Sequence, residues 1–249
     1  MAISGGPDIV EDGLVLHLDA ADKNSYPGTG STWYDLCGNS NFLLTNGAAL
    51  NSQYRGSMAL DGVNDYVRGT TFSTEDYWED SDPFTIITFH RANVSISNAT
   101  GLFSNQRYYT ENNPGGFGLM MYGYNIYNRY YLYLTHDNGS GTKVQYGLGT
   151  GNNEIEYGTV SCIAGVYDPS TNSLKLYKNG SLMNSSTNAA FKWSTRNANT
   201  GECRIGRGLQ GGWTYYQQGN IYNMMVYNTA LDADQILDTY NALKGRYGL

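Results

Sequence analysis

Several residues of this 249-residue chain are of types that carry chemistry elsewhere. Glu154 and Glu156 stand two positions apart in Asn153-Glu154-Ile155-Glu156-Tyr157-Gly158. Alternate residues of a strand share a face, so both carboxylates could meet one sugar ring, as glycoside hydrolysis requires. The neighbouring GTGNN, however, reads as a loop. A run of acids from Glu75 to Asp82, with Glu79, Asp80 and Asp82 at its end, could gather oxygens for calcium. It lacks the D-x-D-x-D-G order of a helix-flanked calcium loop. Asp61 and Asp65 of LDGVNDYV are a second calcium candidate, with turn chemistry as the alternative, because Asp and Asn side chains bond nearby backbone. The histidines, His17, His90 and His136, show no H-x-x-x-H spacing, and no G-x-S-x-G elbow is present. His17 and His90 lie in apolar runs and are expected in the packed sheets. Cys37, Cys162 and Cys203 are an odd count without a C-x-x-C spacing, so three free thiols are expected, two of them in strands. No cofactor is required by any of these patterns; calcium is the one ion they admit.

Aromatic side chains are the stronger signal. Tyr108 and Tyr109, Tyr130 and Tyr131, and Trp213, Tyr215 and Tyr216 lie in stretches rich in Gly and Asn. Adjacent residues on a strand point to opposite faces, so one ring of each adjacent pair leaves the shared core. Exposed Tyr and Trp suit both sugar rings and protein interfaces. Tyr108, Tyr109, Trp213, Tyr215 and Tyr216 are therefore the expected contact residues, with RGLQGGWTYYQQ (207–218) as the best single loop.

The elements that must position these residues are strands. Gly is 31, Tyr 23 and Pro 5, and only 15% of residues are charged. That composition suits short strands joined by Gly/Asn turns and excludes a disordered tail or a helical bundle. The net charge of −7 argues against a partner with a phosphate backbone. No apolar run is long enough to span a membrane. Apolar or alternating runs predict strands over 14–18, 84–90, 116–122, 130–135, 159–167, 173–177, 204–206 and 219–227. Asn179-Gly180 predicts a two-residue hairpin, and Asp61-Gly62 a turn between two further short strands, 57–60 and 65–67. One helix is expected near the C-terminus. Asp232 and Gln235 form a capping box, Ile236, Tyr240 and Leu243 an apolar stripe, and Gly245 a stop. Residues 8–249 read as a single domain behind a loose arm, 1–7, which shows no signal-peptide pattern.

GLVLHLDA (13–20), SYPGTGSTWYDLCGNSN (25–41), LDGVNDYV (60–67), SLKLYKNG (173–180), CRIGRG (203–208) and GNIYNMMVYNTALDADQI (219–236) occur in this order. Together they resemble a concanavalin A-like, laminin G-type domain. The resemblance implies an all-β jelly-roll sandwich of two antiparallel sheets with one short C-terminal helix. Laminarinase-type glucanases share that fold and carry a Glu-x-Asp-x-x-Glu strand. Here the third acid is missing, since Gly158 and Thr159 stand in its place. Laminin G-like domains often bind calcium at loop ends.

More narrowly, the opening MAISGGPDIVEDGLVLHLDAADKNSYPG and the ending NALKGRYGL are similar to laminin G-like proteins of tailed bacteriophages. This implies a non-enzymatic virion protein, assembled in the host cytoplasm. Its expected role is decoration of the capsid or tail exterior, bound to other virion proteins as a symmetric oligomer or array. A lectin-like adhesin for host or environmental polysaccharide is the alternative, and a glycan hydrolase the third.

Overall fold

A computed structural model describes residues 8–52, 56–69, 72, 76–94, 99–105, 115–123, 127–137, 143–194, 203–210 and 213–249; the side chains of 137, 143, 209, 210, 213 and 214 are outside it. One sheet contains β1 (Leu14–Asp19), β4 (Ala49–Asn51), β5 (Ser57–Asp61), β7 (Phe84–Ala92), β12 (Val160–Asp168), β13 (Ser173–Lys178), β14 (Ser181–Thr187) and β18 (Gln218–Tyr227). A second contains β2 (Thr32–Tyr34), β3 (Asn41–Thr45), β6 (Tyr66–Gly69), β8 (Ala99–Ser104), β9 (Gly116–Tyr122), β10 (Arg129–Asp137), β11 (Lys143–Gly149) and β15 (Arg204–Ile205). A hairpin of β16 (Arg207–Gln210) and β17 (Trp213–Tyr216) and one helix, α1 (Ala233–Tyr247), complete it.

The first sheet runs β14-β13-β12-β7-β18-β5-β4 and the second β11-β10-β9-β8-β15-β6-β3-β2, with antiparallel ladders throughout. On β18, residues 218–221 pair with β5 and 223–227 with β1, so those two strands lie end to end along one edge. β7 takes the other edge and so lies inside the sheet, between β12 and β18. Alternation then separates two cores. Phe84, Ile86, Ile163, Leu174, Leu176 and Met224 face inward and meet Phe117, Leu119, Tyr130, Leu132 and Val67 of the second sheet. Their neighbours Ile87, Phe89, Cys162, Ala164, Tyr222 and Met225 face outward and pack under Ile236 and Leu243 of α1. The helix thus closes the outer face of the first sheet.

The Asn179-Gly180 hairpin forms as expected, with φ of 51° and 77° at the two turn residues. The capping box of α1 is also present. One expectation fails. The helix runs through Gly245 and ends at Gly248, whose φ of 74° supplies the left-handed cap that Gly245 does not. LDGVNDYV does form a turn between two short strands, as expected, but the two do not pair: β5 belongs to the first sheet and β6 to the second. The Asp61 carboxylate accepts from the Val63, Asn64 and Asp65 amides at 2.8, 3.2 and 3.3 Å, so the turn redirects the chain instead of returning it.

Two segments near the N-terminus act as clasps. Asp35 accepts the amides of His17 and Cys37 on one oxygen, at 2.8 and 3.0 Å, and that of Asn39 on the other at 3.1 Å. Asp19, almost wholly buried, pairs with Arg246 of α1. The three cysteines are free, as expected.

Candidate functional site

The carboxylates singled out as calcium candidates are engaged locally. Three backbone amides hold Asp61, and the Val63 amide does most to lower its pKa. Asp65 accepts the Asp61 amide at 3.1 Å, while burial pushes its carboxyl upward. Asp82 accepts the Glu79 amide at 2.8 Å, and Asp80 the Ser194 hydroxyl at 2.9 Å. Among the described residues, no three His, Cys, Asp or Glu side chains are grouped to hold a metal. Glu154 and Glu156 converge on Lys178, whose Nζ lies 2.7 Å from the Glu156 carboxylate and 2.9 Å from the Glu154 carbonyl. Lys178 thus pairs with the Glu156 carboxylate at 2.7 Å and more loosely with that of Glu154 at 3.9 Å.

The structure instead brings side chains together on the outer face of the second sheet. Val67, Phe117, Leu119, Met121, Tyr130, Leu132, Leu134 and Ile205 point into the core. Alternation therefore sends Tyr66, Arg68, Tyr122, Arg129, Tyr131, Tyr133 and Arg204 outward. Two groups result. At β9–β10 the Arg129 guanidinium lies 4.5 Å from the Tyr127 ring centre, 5.5 Å from Tyr131 and 5.6 Å from Tyr122. At β6–β15, Arg68 is directly opposite Arg204, which is directly opposite Ser104. The Arg207 guanidinium there lies 4.8 Å from the Tyr66 ring and 5.7 Å from Tyr216. Tyr133 joins the two groups: its hydroxyl meets Ser104 at 2.6 Å, and burial pushes its pKa up to about 12.

Glycine makes the face possible. Tyr131 lies across β11 where Gly147 leaves space, and Tyr133 lies across β9 over Gly118. The segment 207–218, read as a loop, is in fact the β16–β17 hairpin, with Arg207 opposite Tyr216 and Gln210 opposite Trp213. It approaches β8 backbone to backbone: a Cβ on Gly208 would stand 2.6 Å from the Ala99 carbonyl.

Of the expected contact residues, Tyr216 stacks obliquely on Tyr66 at 6.2 Å and is half-buried, as is Tyr215. Trp213 contributes backbone to β17, and its side chain lies outside the described residues; Tyr108 and Tyr109 lie outside them altogether. Sequence reasoning missed the arginines. Their signal was in Arg129-Tyr130-Tyr131-Leu132-Tyr133-Leu134, where even positions are apolar or aromatic and odd ones amphipathic.

Residues 60–237, well over half of the chain, match the model of the concanavalin A-like lectin/glucanases superfamily. The chain belongs to that superfamily. No curated protein matches this concanavalin A-like chain by sequence. Solved structures do. The binding domain of botulinum neurotoxin DC in complex with SialylT superposes with a TM-score of 0.66 at 15% identity, over 93% of this chain and 52% of that one. A structure of botulinum neurotoxin type C, whose cell entry depends on two ganglioside molecules, gives 0.61 at 13%, over 93% and 51%. The CBM40 of a Ruminococcus gnavus IT-sialidase gives 0.50 at 18%, over 64% and 83%. The chain spans about half the length of the toxin binding domains it matches. At such identities the likeness is one of fold.

Proposed function

We propose that this chain is a non-catalytic glycan-binding module and that it binds through the outer face of its second sheet. One observation carries the reading: α1 occupies the outer face of the first sheet, while on the second the half-buried Tyr122, Tyr127, Arg129 and Tyr131 form one group and the half-buried Arg68, Arg207 and Tyr216 another. Tyrosine rings offer flat apolar area for a sugar face, and the adjacent donors supply its hydrogen bonds. The toxin domain bound to SialylT supports the same reading by fold analogy. Lys178, set between Glu154 and Glu156, supports the absence of hydrolysis.

A glycan array with the intact chain, run with and without calcium, tests this. Binding should be seen in both conditions and weaken at Tyr131→Ala and Tyr216→Ala; an array with no bound glycan refutes it. Turnover of laminarin that vanished at Glu156→Gln would restore the hydrolase.

The setting we propose is the exterior of a tailed-phage particle, where such a module would sit in a symmetric array. The observation favouring it is the likeness of both ends of the sequence to phage laminin G-like proteins. Residue-level imaging of particles with and without the gene product should show a surface density lost in its absence; unchanged particles would refute the setting and leave the glycan reading intact.

A further inference from the structure

We infer that the outer face of the second sheet selects carboxylate-bearing sugars, an inference that rests on the glycan-binding reading above. The chain is acidic, with 22 Asp and Glu against 15 Lys and Arg. Yet Arg68, Arg129 and Arg207 share this one face, and among the described residues none of the three pairs with a carboxylate. The Nε of each is shielded from water and has no hydrogen-bond partner among those residues. Arg204, between Arg68 and Ser104, is engaged within the protein and is not counted with them.

Unmet buried donors are uncommon because each costs free energy. Two of the three sites share one arrangement. Tyrosine rings hold two of the guanidiniums, Arg129 against Tyr127 and Arg207 against Tyr66. A ring fixes the plane of a guanidinium through its π cloud and uses none of its N–H groups. The forked edge is left pre-oriented, and a carboxylate is the acceptor whose two oxygens match that fork. A neutral sugar hydroxyl matches it less well and brings no charge.

The spacing sets the size of the ligand. Arg129 on β10 and Arg68 on β6 are separated by β9, β8 and β15, which at ordinary strand spacing is about 20 Å. No single sugar carboxylate reaches both. A chain of acidic sugars does, and engages the two groups at once with the gain in avidity that linked sites give.

The test uses the intact chain and named probes. Binding is measured against polygalacturonate, 3′-sialyllactose, lactose, laminarin and dextran sulfate, at low and at physiological salt. Polygalacturonate should bind best, 3′-sialyllactose should bind at least about tenfold more tightly than lactose, and salt should weaken both acidic probes. Arg129→Lys keeps the charge and loses the fork; it should lower 3′-sialyllactose or polygalacturonate affinity about tenfold while the melting temperature is unchanged. Arg68→Gln should weaken polygalacturonate and bring its affinity toward that of a single-site ligand. Lactose or laminarin binding as tightly as the acidic probes overturns the inference and leaves glycan binding standing. Dextran sulfate binding as well as polygalacturonate overturns it too, because bulk charge and not the carboxylate is then being read. If none of the five probes binds, both this inference and the glycan-binding reading fall.

Discussion

His90 sits on β7 with its ring turned into the space between the sheets, where its Nε2 meets the Tyr130 hydroxyl of β10 at 3.1 Å. That contact is a polar bridge across the sandwich. Burial disfavours the imidazolium, and the nearby Lys178 disfavours it further, so the pKa falls from 6.5 to about 3. Between those two values the unfolded chain binds a proton that the native chain refuses. Stability is therefore full above 6.5 and is lost as the pH falls toward 3. Each pH unit in that window removes about 1.4 kcal/mol, and by pH 5 about 2 kcal/mol has gone. Against a total of about 5–15 kcal/mol for a typical domain, that is a substantial loss. Replacing His90 with Gln keeps an amide able to bond Tyr130 and removes the titration. Urea unfolding at several pH values from 7.5 to 4.5, for wild type and His90→Gln, gives two stability curves. His17, also lowered chiefly by burial, contributes equally to both and cancels in their difference. The wild-type curve should fall more steeply on acidification, the gap growing by about 1.4 kcal/mol per unit. Parallel curves would refute the assignment of His90 as a neutral buried bridge.

Asp35→Ala strands three backbone amides that now share its carboxylate. At roughly 1–3 kcal/mol for each unmet donor, and with part of the loop open to water, a loss of about 3–5 kcal/mol is expected by urea unfolding, and Asp35→Asn should cost markedly less. Asp232→Ala removes the N-cap of α1 and should cost about 1 kcal/mol in the same assay. Gly147→Ala drives its methyl into the space of the Tyr131 ring and swings that ring off the face. Because only the far end of a side chain must move, stability should change by less than about 1 kcal/mol while glycan binding falls, read by melting and by affinity on one sample.

Local chemistry was legible in the sequence wherever it is settled by neighbours in the chain. Asn179-Gly180 supplies both left-handed residues of its turn, and Asp232 with Gln235 completes a cap within one helical turn. Strand runs such as FTIITFH and GNIYNMMVY are apolar on both faces, and that is a true signal of burial under both a second sheet and a helix. What was not legible depends on partners far away in the chain. The DG turn has the residues of a hairpin, and only pairing of β5 with β18 and of β6 with β3 and β15 shows the chain changing sheets. Tyr130 and Tyr131 were expected to split between faces, and they do, the first in the core and the second outside it. That Arg68 and Arg204 meet follows from a ladder between strands separated by most of the molecule. No spacing rule within either segment contains it.

The pairing of β1 with β18, locked by Asp19 and Arg246, also constrains how this chain is made. The bonded partners are 227 residues apart. A ribosome adding about 5–20 residues each second needs about 10–45 s to deliver the second partner after the first. Throughout that time β1 is an apolar strand with an unpaired edge, the kind of surface that pairs with the wrong chain. Its own segment, LVLHLD, carries just one acid, at its end. Holding factors that shield nascent strands should therefore matter more for the yield of this protein than for one whose first strand pairs with its second.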